Sequence, residues 1–238
     1  MSEPSYDVLL SGFPGKTARG FLGWSTTVLL KTTSGYALLD TGGAGDRPGL
    51  IEALAERNIQ PSDIRTVIVS HLHFDHIANA ECFRGAEFVL HETELDYFEK
   101  HQANDPAIPR YQVEGLLRSP QVSIVSGELD VLPGIRMIRT PGHTAGHVSL
   151  VLNVGGQCVV LAQDAVKHRG EMDSGISAGA FDAGIASASI RRIAAMADVI
   201  VPGHDAPLFL SKGKVQTCGT LCEEIRNTVT GQFHRMEV

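Results

Sequence analysis

The fold is decided by His71-Leu72-His73-Phe74-Asp75-His76, a stretch that directly follows the short apolar run at residues 66–69. Four of its six residues are potential metal ligands. Successive side chains of extended backbone alternate between two faces, so His71 and His73 can point the same way. Asp75 and His76 come after the turn and can point towards a second ion. Three histidines so close together rarely find buried partners without metal, which disfavours a histidine-rich loop arising by chance. Imidazole and carboxylate ligands together suit zinc, iron or manganese, so the stretch predicts a metal site.

Three further pieces of sequence carry single polar residues at predicted strand ends. His143 lies in Thr140-Pro141-Gly142-His143-Thr144-Ala145-Gly146-His147, and His204 lies in Val201-Pro202-Gly203-His204-Asp205. In both, the preceding glycine lets the backbone turn sharply after a strand. Asp164 directly follows the run that starts at residue 159. A lone Asp or His at a strand end is usually a cap or a turn residue. Together with the six-residue stretch, in this order, the three form a specific pattern.

The two halves of the chain repeat one pattern. Residues 36–40 are typical of a strand that ends at Asp40, and a helix at residues 48–57 then leads to the strand before His71. Residues 159–164 are typical of a strand that ends at Asp164, and a helix at residues 187–196 then leads to the strand before His204. The repeat predicts an α/β fold with two similar halves, whose sheets pack together with helices outside. The polar residues of both halves would then meet along one edge.

Periodicity and turn residues predict the remaining elements. Strands are predicted at residues 6–10, 25–30, 36–39, 66–69, 87–90, 122–125, 135–139, 148–154, 158–161 and 199–201. Helices are predicted at residues 48–57, 93–101 and 187–196 and in the tail from Val215 onward, with a loop at residues 104–110. No linker or low-complexity segment interrupts the pattern, so residues 1–238 are predicted to form a single domain.

The composition is that of an ordinary globular protein, with 43% hydrophobic and 20% charged residues. The formal net charge of -7 gives no general attraction to phosphates, so we expect no nucleic-acid partner. No basic stretch precedes an apolar run near Met1, and no run approaches the length that spans a membrane. We therefore expect a cytoplasmic protein without a membrane partner.

The four cysteines are too few for a disulfide framework in a chain of this length. Cys158 lies in an apolar run and is predicted to be a buried free thiol. Cys218 and Cys222 are close enough in sequence to face each other on a helix, although two separate thiols are the simpler interpretation.

Taken together, HLHFDH, TPGHTAGH, the strand-end Asp164 and VPGHD resemble the metallo-β-lactamase superfamily, from the DTG at Asp40 to His204. The resemblance implies a four-layer αββα sandwich. It also implies two divalent metal ions that share a bridging hydroxide, with zinc favoured and iron or manganese as alternatives. By the family pattern, one ion is held by His71, His73 and His143, the other by Asp75, His76 and His204, and both by Asp164. Asp75 is therefore also placed among the catalytic residues. Asp40 is expected to orient ligands without binding metal.

Within the superfamily, the resemblance is strongest to the short lactonases that open N-acyl homoserine lactones. They share a motif like SHLHFDH, a TPGHT-GH turn and a strand-end Asp. They also place a Tyr, aimed at the substrate, three residues after the bridging Asp, where this chain has Lys167. Lys167 or the adjacent His168 is therefore expected to donate a hydrogen bond to the developing oxyanion, with a solvated basic pair as the alternative. A weaker resemblance, through DTGG, DH-IAN and ADVIVPGH, is to small stand-alone animal proteins of this superfamily, some of which act on RNA.

These features predict a metal-dependent hydrolase whose small-molecule substrate is a carboxylic ester or a lactone. A phosphodiesterase or nuclease using the same two-metal site is the alternative, and a homodimer is left open. A di-iron redox protein is disfavoured because such members of the superfamily replace His73 with Glu. Penicillin hydrolysis is disfavoured because the cysteine-ligand lactamases have Cys where this chain has Asp164. A non-catalytic scaffold has no use for a complete, open ligand set.

Several aromatic and histidine residues lie outside the ligand pattern. Phe13, Phe21 and Trp24 cluster between the first two predicted strands and could either form an apolar substrate wall or cap the core. His147 has no metal left to bind and is expected to form a structural hydrogen bond. Residues expected at the surface or at helix ends, because they lack ligand spacing, are His91, His101 and His234.

Overall fold

Two large β-sheets form the centre of the protein, described here from a computed structural model over residues 3–211, 214–217 and 220–238. The N-terminal half of these residues contains the strands β1 (Ser5–Leu10), β2 (Lys16–Thr17), β3 (Gly20–Phe21), β4 (Thr27–Thr32), β5 (Gly35–Leu39), β6 (Ile64–Ile68), β7 (Glu87–His91) and β8 (Val122–Val125). The C-terminal half contains β9 (Leu129–Leu132), β10 (Ile135–Arg139), β11 (Val148–Val154), β12 (Gln157–Gln163), β13 (Val199–Pro202), β14 (Leu208–Ser211), β15 (Lys214–Thr217), β16 (Cys222–Arg226) and β17 (Phe233–Glu237). The helices are α1 (Arg47–Glu56), α2 (Phe74–Ile77), α3 (Glu92–His101), α4 (Arg110–Leu117), α5 (Arg169–Ser174) and α6 (Ala183–Met196).

Each sheet contains a parallel core that brings polar strand ends to one edge. The first sheet has the strand order β1-β4-β5-β6-β7-β8, and the second has the order β15-β14-β13-β12-β11-β10-β9. Strands β5 to β8 pair in parallel, as do β12 and β13. Helix α1 connects β5 to β6, and α6 precedes β13 in the connection from β12. Asp40 and His71 follow the neighbouring strands β5 and β6, and Asp164 and His204 follow the neighbouring strands β12 and β13. Because neighbouring parallel strands end at the same edge of a sheet, the two residues of each pair lie at one edge.

The side chains of the strands alternate between an inner core and two outer cores. Val28, Leu39 and Ile68 of the first sheet share one buried cluster with Met137 and Leu161 of the second. On the outer face of the first sheet, the buried side chains of β4, β5 and β6 pack with those of α1, α3 and α4. On the outer face of the second, those of β12 and β13 pack with α6. The predicted αββα layering is therefore confirmed.

Most of the predicted strands and helices are confirmed, with ends that differ by a few residues. The elements additional to the prediction are β2, β3, β9, β14, α2, α4 and α5. The loop predicted at residues 104–110 is confirmed up to Pro109, which stands directly before α4. A proline is compatible with a helix start, because the first backbone N–H groups of a helix have no partner within it.

The helical prediction for the tail from Val215 onward is wrong. Residues 214–217 form β15 on the edge of the second sheet, and β16 and β17 form an antiparallel hairpin. The turn is built by Asn227, whose side chain accepts hydrogen bonds from the backbone of Val229 and Thr230, and by Gly231 with a φ of 73°. Asn and Gly favour such turns, and this turn chemistry outweighs the weak helical spacing.

The cysteine predictions have mixed outcomes. Cys222 lies in a strand, so its predicted placement on a helix is wrong, and Cys218 lies outside the described residues. Cys158 is a free thiol, as predicted, but only partly buried. No helix of the described residues has the length and apolar character needed to cross a membrane. The assignment of residues 1–238 to a single domain stays a prediction.

Candidate metal centre

The seven predicted ligand residues meet at the edge where the central strands of both sheets end. Three overlapping groups have ligand atoms that all lie within 4.8 Å of one another: His71, His73 and His143; Asp75, His76 and His204; and His71, His76 and Asp164. The first two groups are the two sets implied by the family pattern. Each draws two residues from the stretch after β6 and one from a loop of the second sheet. The centre therefore forms only where the two sheets meet.

Asp164 lies between the two sets. Its Oδ2 is 3.2 Å from Nε2 of His143, and its Oδ1 is 3.3 Å from Nε2 of both His76 and His204. Gly203 makes this position available, because a Cβ atom there would lie 2.1 Å from Oδ1 of Asp164. The glycine before His204 is thus required for close approach to Asp164.

Four of the five imidazoles are held by the ring nitrogen that faces away from the centre. Asp40 accepts hydrogen bonds from Nδ1 of His76 at 2.8 Å and from the Ser70 hydroxyl at 2.6 Å. That hydroxyl in turn accepts from Nδ1 of His71 at 3.0 Å. The other two bonds join Nε2 of His73 to Asp105 at 3.0 Å and Nδ1 of His204 to the Trp24 carbonyl at 2.9 Å. Such bonds fix the ring orientation and leave the second nitrogen for a metal.

Asp105 is a functional residue that the sequence analysis missed. Its Oδ2 also accepts a hydrogen bond from the Tyr97 hydroxyl at 2.8 Å, and its Oδ1 accepts one from the backbone of Ala107 at 2.9 Å. His73 and Tyr97 together hold the pKa of Asp105 well below its usual range, although burial opposes this. No spacing links Asp105 to the ligand motifs, so only the three-dimensional structure identifies it.

Two strand ends beside the centre have unusual backbone. Asp40 directly follows β5 and has a φ of 59°, and Gln163 ends β12 and has a φ of 47°. A non-glycine residue in this left-handed region costs about 1 kcal/mol or more. Gln163 is held by a hydrogen bond from its Nε2 to the Thr26 carbonyl at 3.0 Å. Both halves thus turn sharply at a strand end, at Asp40 itself in one half and directly before Asp164 in the other.

The buried atoms of the centre fit a divalent cation. Nε2 of His71, Nε2 of His76 and Oδ1 of Asp164 are buried without a hydrogen-bond partner among the described residues. Burying an unpaired polar atom is unfavourable, and cations held by the two ligand sets would satisfy all three.

The pKa values of His71, His143 and Asp164 agree with that fit, since metal binding needs deprotonated ligands. Burial lowers the pKa of His71 and of His143 well below the usual value, so both rings are neutral. Burial alone would raise the pKa of Asp164, but the neighbouring His204 and His143 hold it well below its usual range. Burial alone would lower the pKa values of His76 and His204, but Asp164 and Asp75 raise them, so these two rings would have to release a proton when a cation binds.

The sequence profile of the Metallo-beta-lactamase superfamily matches residues 22–204, a range that contains all seven residues of the centre. The chain belongs to the metallo-β-lactamase superfamily. It is therefore a metal-dependent hydrolase, and the superfamily normally binds divalent metals, which agrees with the donor atoms described above.

Similar proteins include both kinds of metallo-β-lactamase relative that the motifs resemble. The mouse protein named Metallo-beta-lactamase domain-containing protein 1 is 31% identical over 226 residues, which cover 91% of this chain and 79% of that protein. An N-acyl homoserine lactonase from a Bacillus species is 27% identical over 205 residues, covering 74% and 79%. A solved structure of a quorum-quenching N-acyl homoserine lactone hydrolase superposes with a TM-score of 0.64 at 26% identity, covering 76% of this chain and 79% of that one.

A cavity of about 720 Å³ opens onto the centre of this metallo-β-lactamase fold. It reaches ligand residues of both sets, and its aromatic lining consists of Phe13, Phe21, Phe74, Tyr97 and Phe181. Phe13 is buried, whereas Phe21 lies on the β2–β3 hairpin and is 77% exposed. Trp24 is outside the lining; its ring packs edge-on against Phe13. The expected wall is thus formed by two of its three predicted members together with aromatic residues that the sequence analysis did not identify.

Lys167 and His168 both line the cavity, but their hydrogen-bonding states differ. The Lys167 ammonium donates to the Ser177 hydroxyl at 2.8 Å and the Ala178 carbonyl at 3.1 Å, and it pairs with Glu171 at 2.7 Å. Two hydrogen bonds and one ion pair thus hold the ammonium group to the protein. In the part of the chain that the structure describes, the His168 ring has no hydrogen bond to protein. His168 is therefore the one of the two whose donor is available to a ligand.

The remaining histidines are mostly where the sequence placed them. His147 forms the expected structural hydrogen bond, between its Nδ1 and the Thr140 hydroxyl at 2.9 Å. His91 is at a helix end, where its ring accepts from the backbone N–H of Thr93, but it is fully buried. His101 ends α3 and also lines the cavity. His234 is exposed on β17.

Proposed function

We propose that this protein hydrolyses a small carboxylic ester or lactone with two divalent metal ions, zinc being favoured. The observation that carries the proposal is the pair of ligand sets joined by Asp164 beneath a largely apolar cavity. A volume of about 720 Å³ suits a small molecule. The similarity to an N-acyl homoserine lactonase supports the same substrate class.

The two sets would hold one ion each, and the Asp164 carboxylate would bind both. When bound, the ions make water a nucleophile near neutral pH and polarise the carbonyl of the substrate. The chain itself keeps the neutral rings of His71 and His143 aimed at the centre. Asp75 lines the cavity with Oδ2 at 3.6 Å from Nε2 of His204. Its carboxylate would accept the proton released by the attacking water and deliver it to the leaving oxygen.

The cavity wall would position the substrate. Phe13, Phe21 and Phe181 offer an apolar surface for an acyl or ring group and exclude water from the carbonyl. His168 would donate a hydrogen bond from its ring N–H to the oxygen that develops negative charge. Lys167 would hold the segment around Ala178 in place, because its ammonium group is committed to that backbone.

Ester or lactone hydrolysis should exceed phosphodiester hydrolysis with the same metal-loaded preparation. The apolar lining favours acyl groups, and the net charge of -7 gives no general attraction to polyanions. The measurement is kcat/KM for short and long acyl lactones, aryl esters and bis-aryl phosphodiesters. Phosphodiester turnover that exceeds the best ester or lactone by about tenfold, or about 1.4 kcal/mol in transition-state stabilisation, would instead identify a phosphodiesterase or nuclease.

His168→Ala should lower kcat for the best ester or lactone by about a hundredfold, since one donor to the developing oxyanion is lost. Its metal content should not change, because His168 is not among the grouped ligand residues. Lys167→Ala is the matched control from the adjacent position. It should keep the metals and act mainly on KM, through a looser cavity wall. Equal losses of kcat in the two variants, or wild-type kcat in His168→Ala, would rule out the donor role of His168.

A further inference from the structure

Glu94 is a buried carboxylate that the proposed chemistry does not use. It lies in the first turn of α3 and is 1% exposed. None of the described residues forms an ion pair with it. Burial raises its pKa to about 7, although hydrogen bonds from Thr144 and Leu72 oppose this. Burying a carboxylate is unfavourable unless hydrogen bonds or an opposite charge compensate for its lost hydration, so the partners of Glu94 need an explanation.

The hydrogen bonds of Glu94 join the two loops that carry the first ligand set. Its Oε1 accepts from the backbone N–H of Leu72 at 2.9 Å, and its Oε2 accepts from the Thr144 hydroxyl at 2.6 Å. Leu72 lies between His71 and His73, and Thr144 directly follows His143. One side chain thus links the ligand loop of the first sheet to that of the second.

Gly146 explains how α3 comes close enough for this contact. A Cβ atom at Gly146 would lie 2.1 Å from the backbone nitrogen of Glu94 and 2.3 Å from its Cα. The second glycine of TPGHTAGH is therefore needed for packing against the start of α3, and the loop that carries His143 is held to Glu94 through Thr144.

We propose that Glu94 is a positioning residue of the metal centre, which sets the separation of the His71–His73 loop from the His143 loop. The inference rests on the proposed two-metal function but concerns only the first ligand set. Charge-assisted hydrogen bonds are stronger than neutral ones, so a carboxylate fixes the two loops better than an apolar side chain would. Without it, Leu72 and Thr144 lose their acceptor, and the two loops that carry the three imidazoles are no longer linked to each other.

The test is the metal affinity of Glu94→Ala, measured by competition with a chromogenic chelator, together with the visible absorption spectrum of the protein loaded with Co²⁺. We expect one of the two ions to bind about 10- to 100-fold more weakly and the Co²⁺ spectrum of that site to change. Glu92→Ala is the matched control, since Glu92 lies in the same helical turn but is exposed. It should bind both ions as the wild type does. Glu94→Gln should restore part of the affinity, because its amide oxygen can still accept from one loop.

Wild-type affinities and an unchanged Co²⁺ spectrum in folded Glu94→Ala would overturn the inference. If Glu94→Ala fails to fold, Thr144→Val decides, since it removes one hydroxyl donor and keeps the shape of the side chain. A several-fold loss of affinity for one ion then supports the positioning role, and an unchanged affinity overturns it. A wild-type protein that binds one ion contradicts the proposed two-metal function, whereas weaker binding of that ion in Glu94→Ala still supports the present inference.

Discussion

Asp164→Ala should lose one of the two metal ions and lower kcat/KM by about ten-thousandfold, or roughly 5 kcal/mol. Asp164 is the side chain whose two oxygens face both ligand sets, at 3.2 and 3.3 Å from their ring nitrogens. Alanine removes the negative charge between the two ions, so their mutual repulsion is no longer offset. The neighbouring rings also lose the carboxylate that counters the effect of burial.

Metal content by elemental analysis and kcat/KM on the best substrate measure this effect. Asp198→Ala is the control, since Asp198 belongs to the same half of the chain, is exposed, and accepts a hydrogen bond from the backbone of Cys158. That variant should keep both ions and nearly full activity. An Asp164→Ala protein with two tightly bound ions and wild-type turnover would show that Asp164 does not join the two sets.

Removing the metals should lower the melting temperature by roughly 15–30 °C. With free metal at about a thousand times Kd, each bound ion adds about 4 kcal/mol to the free energy of unfolding. For a chain of this size, each kcal/mol corresponds to about 2–4 °C. The structural reason is that Nε2 of His71, Nε2 of His76 and Oδ1 of Asp164 are buried without a hydrogen-bond partner in the described part of the chain.

Thermal unfolding with and without a strong chelator, followed by zinc addition, tests this prediction. Asp164→Ala is the internal comparison, and its chelator-induced shift should be about half that of the wild type. A wild-type melting temperature that the chelator leaves unchanged, in a protein shown by elemental analysis to have lost its metal, would contradict the structural contribution of the ions.

Four of the candidate ligand residues could be predicted from sequence because their spacing is local. His71, His73, Asp75 and His76 lie within six residues, and any backbone that turns there brings them together. His143, Asp164 and His204 stand at predicted strand ends, and their role as ligands was predicted from the resemblance to the superfamily. The αββα layering followed from the repeated strand–helix–strand pattern, and the packing of the strand side chains agrees with it.

The residues that hold the ligands were not predictable in the same way. Asp105 is far from His73 in sequence, and Glu94 is far from Thr144, so the spacing of residues along the chain predicts neither contact. Such hydrogen bonds depend on how α3 and the following loop pack on the first sheet. The helical prediction for the tail was wrong for the opposite reason. The structure of the tail depends on a local turn at Asn227 and Gly231, and helical periodicity alone does not reveal that turn.

Each ligand set takes residues from both sheets, and this has a consequence for the order of folding. An unfolded chain can offer a cation only the cluster at residues 71–76, because His143 and His204 join it through contacts that are distant in sequence. Closing such long loops is slow and must come before the complete site exists. We therefore expect tight metal uptake to be a late event on the folding pathway. Ions bound at this centre would stabilise a chain whose sheets have already docked, and they would slow its unfolding more than they speed its folding.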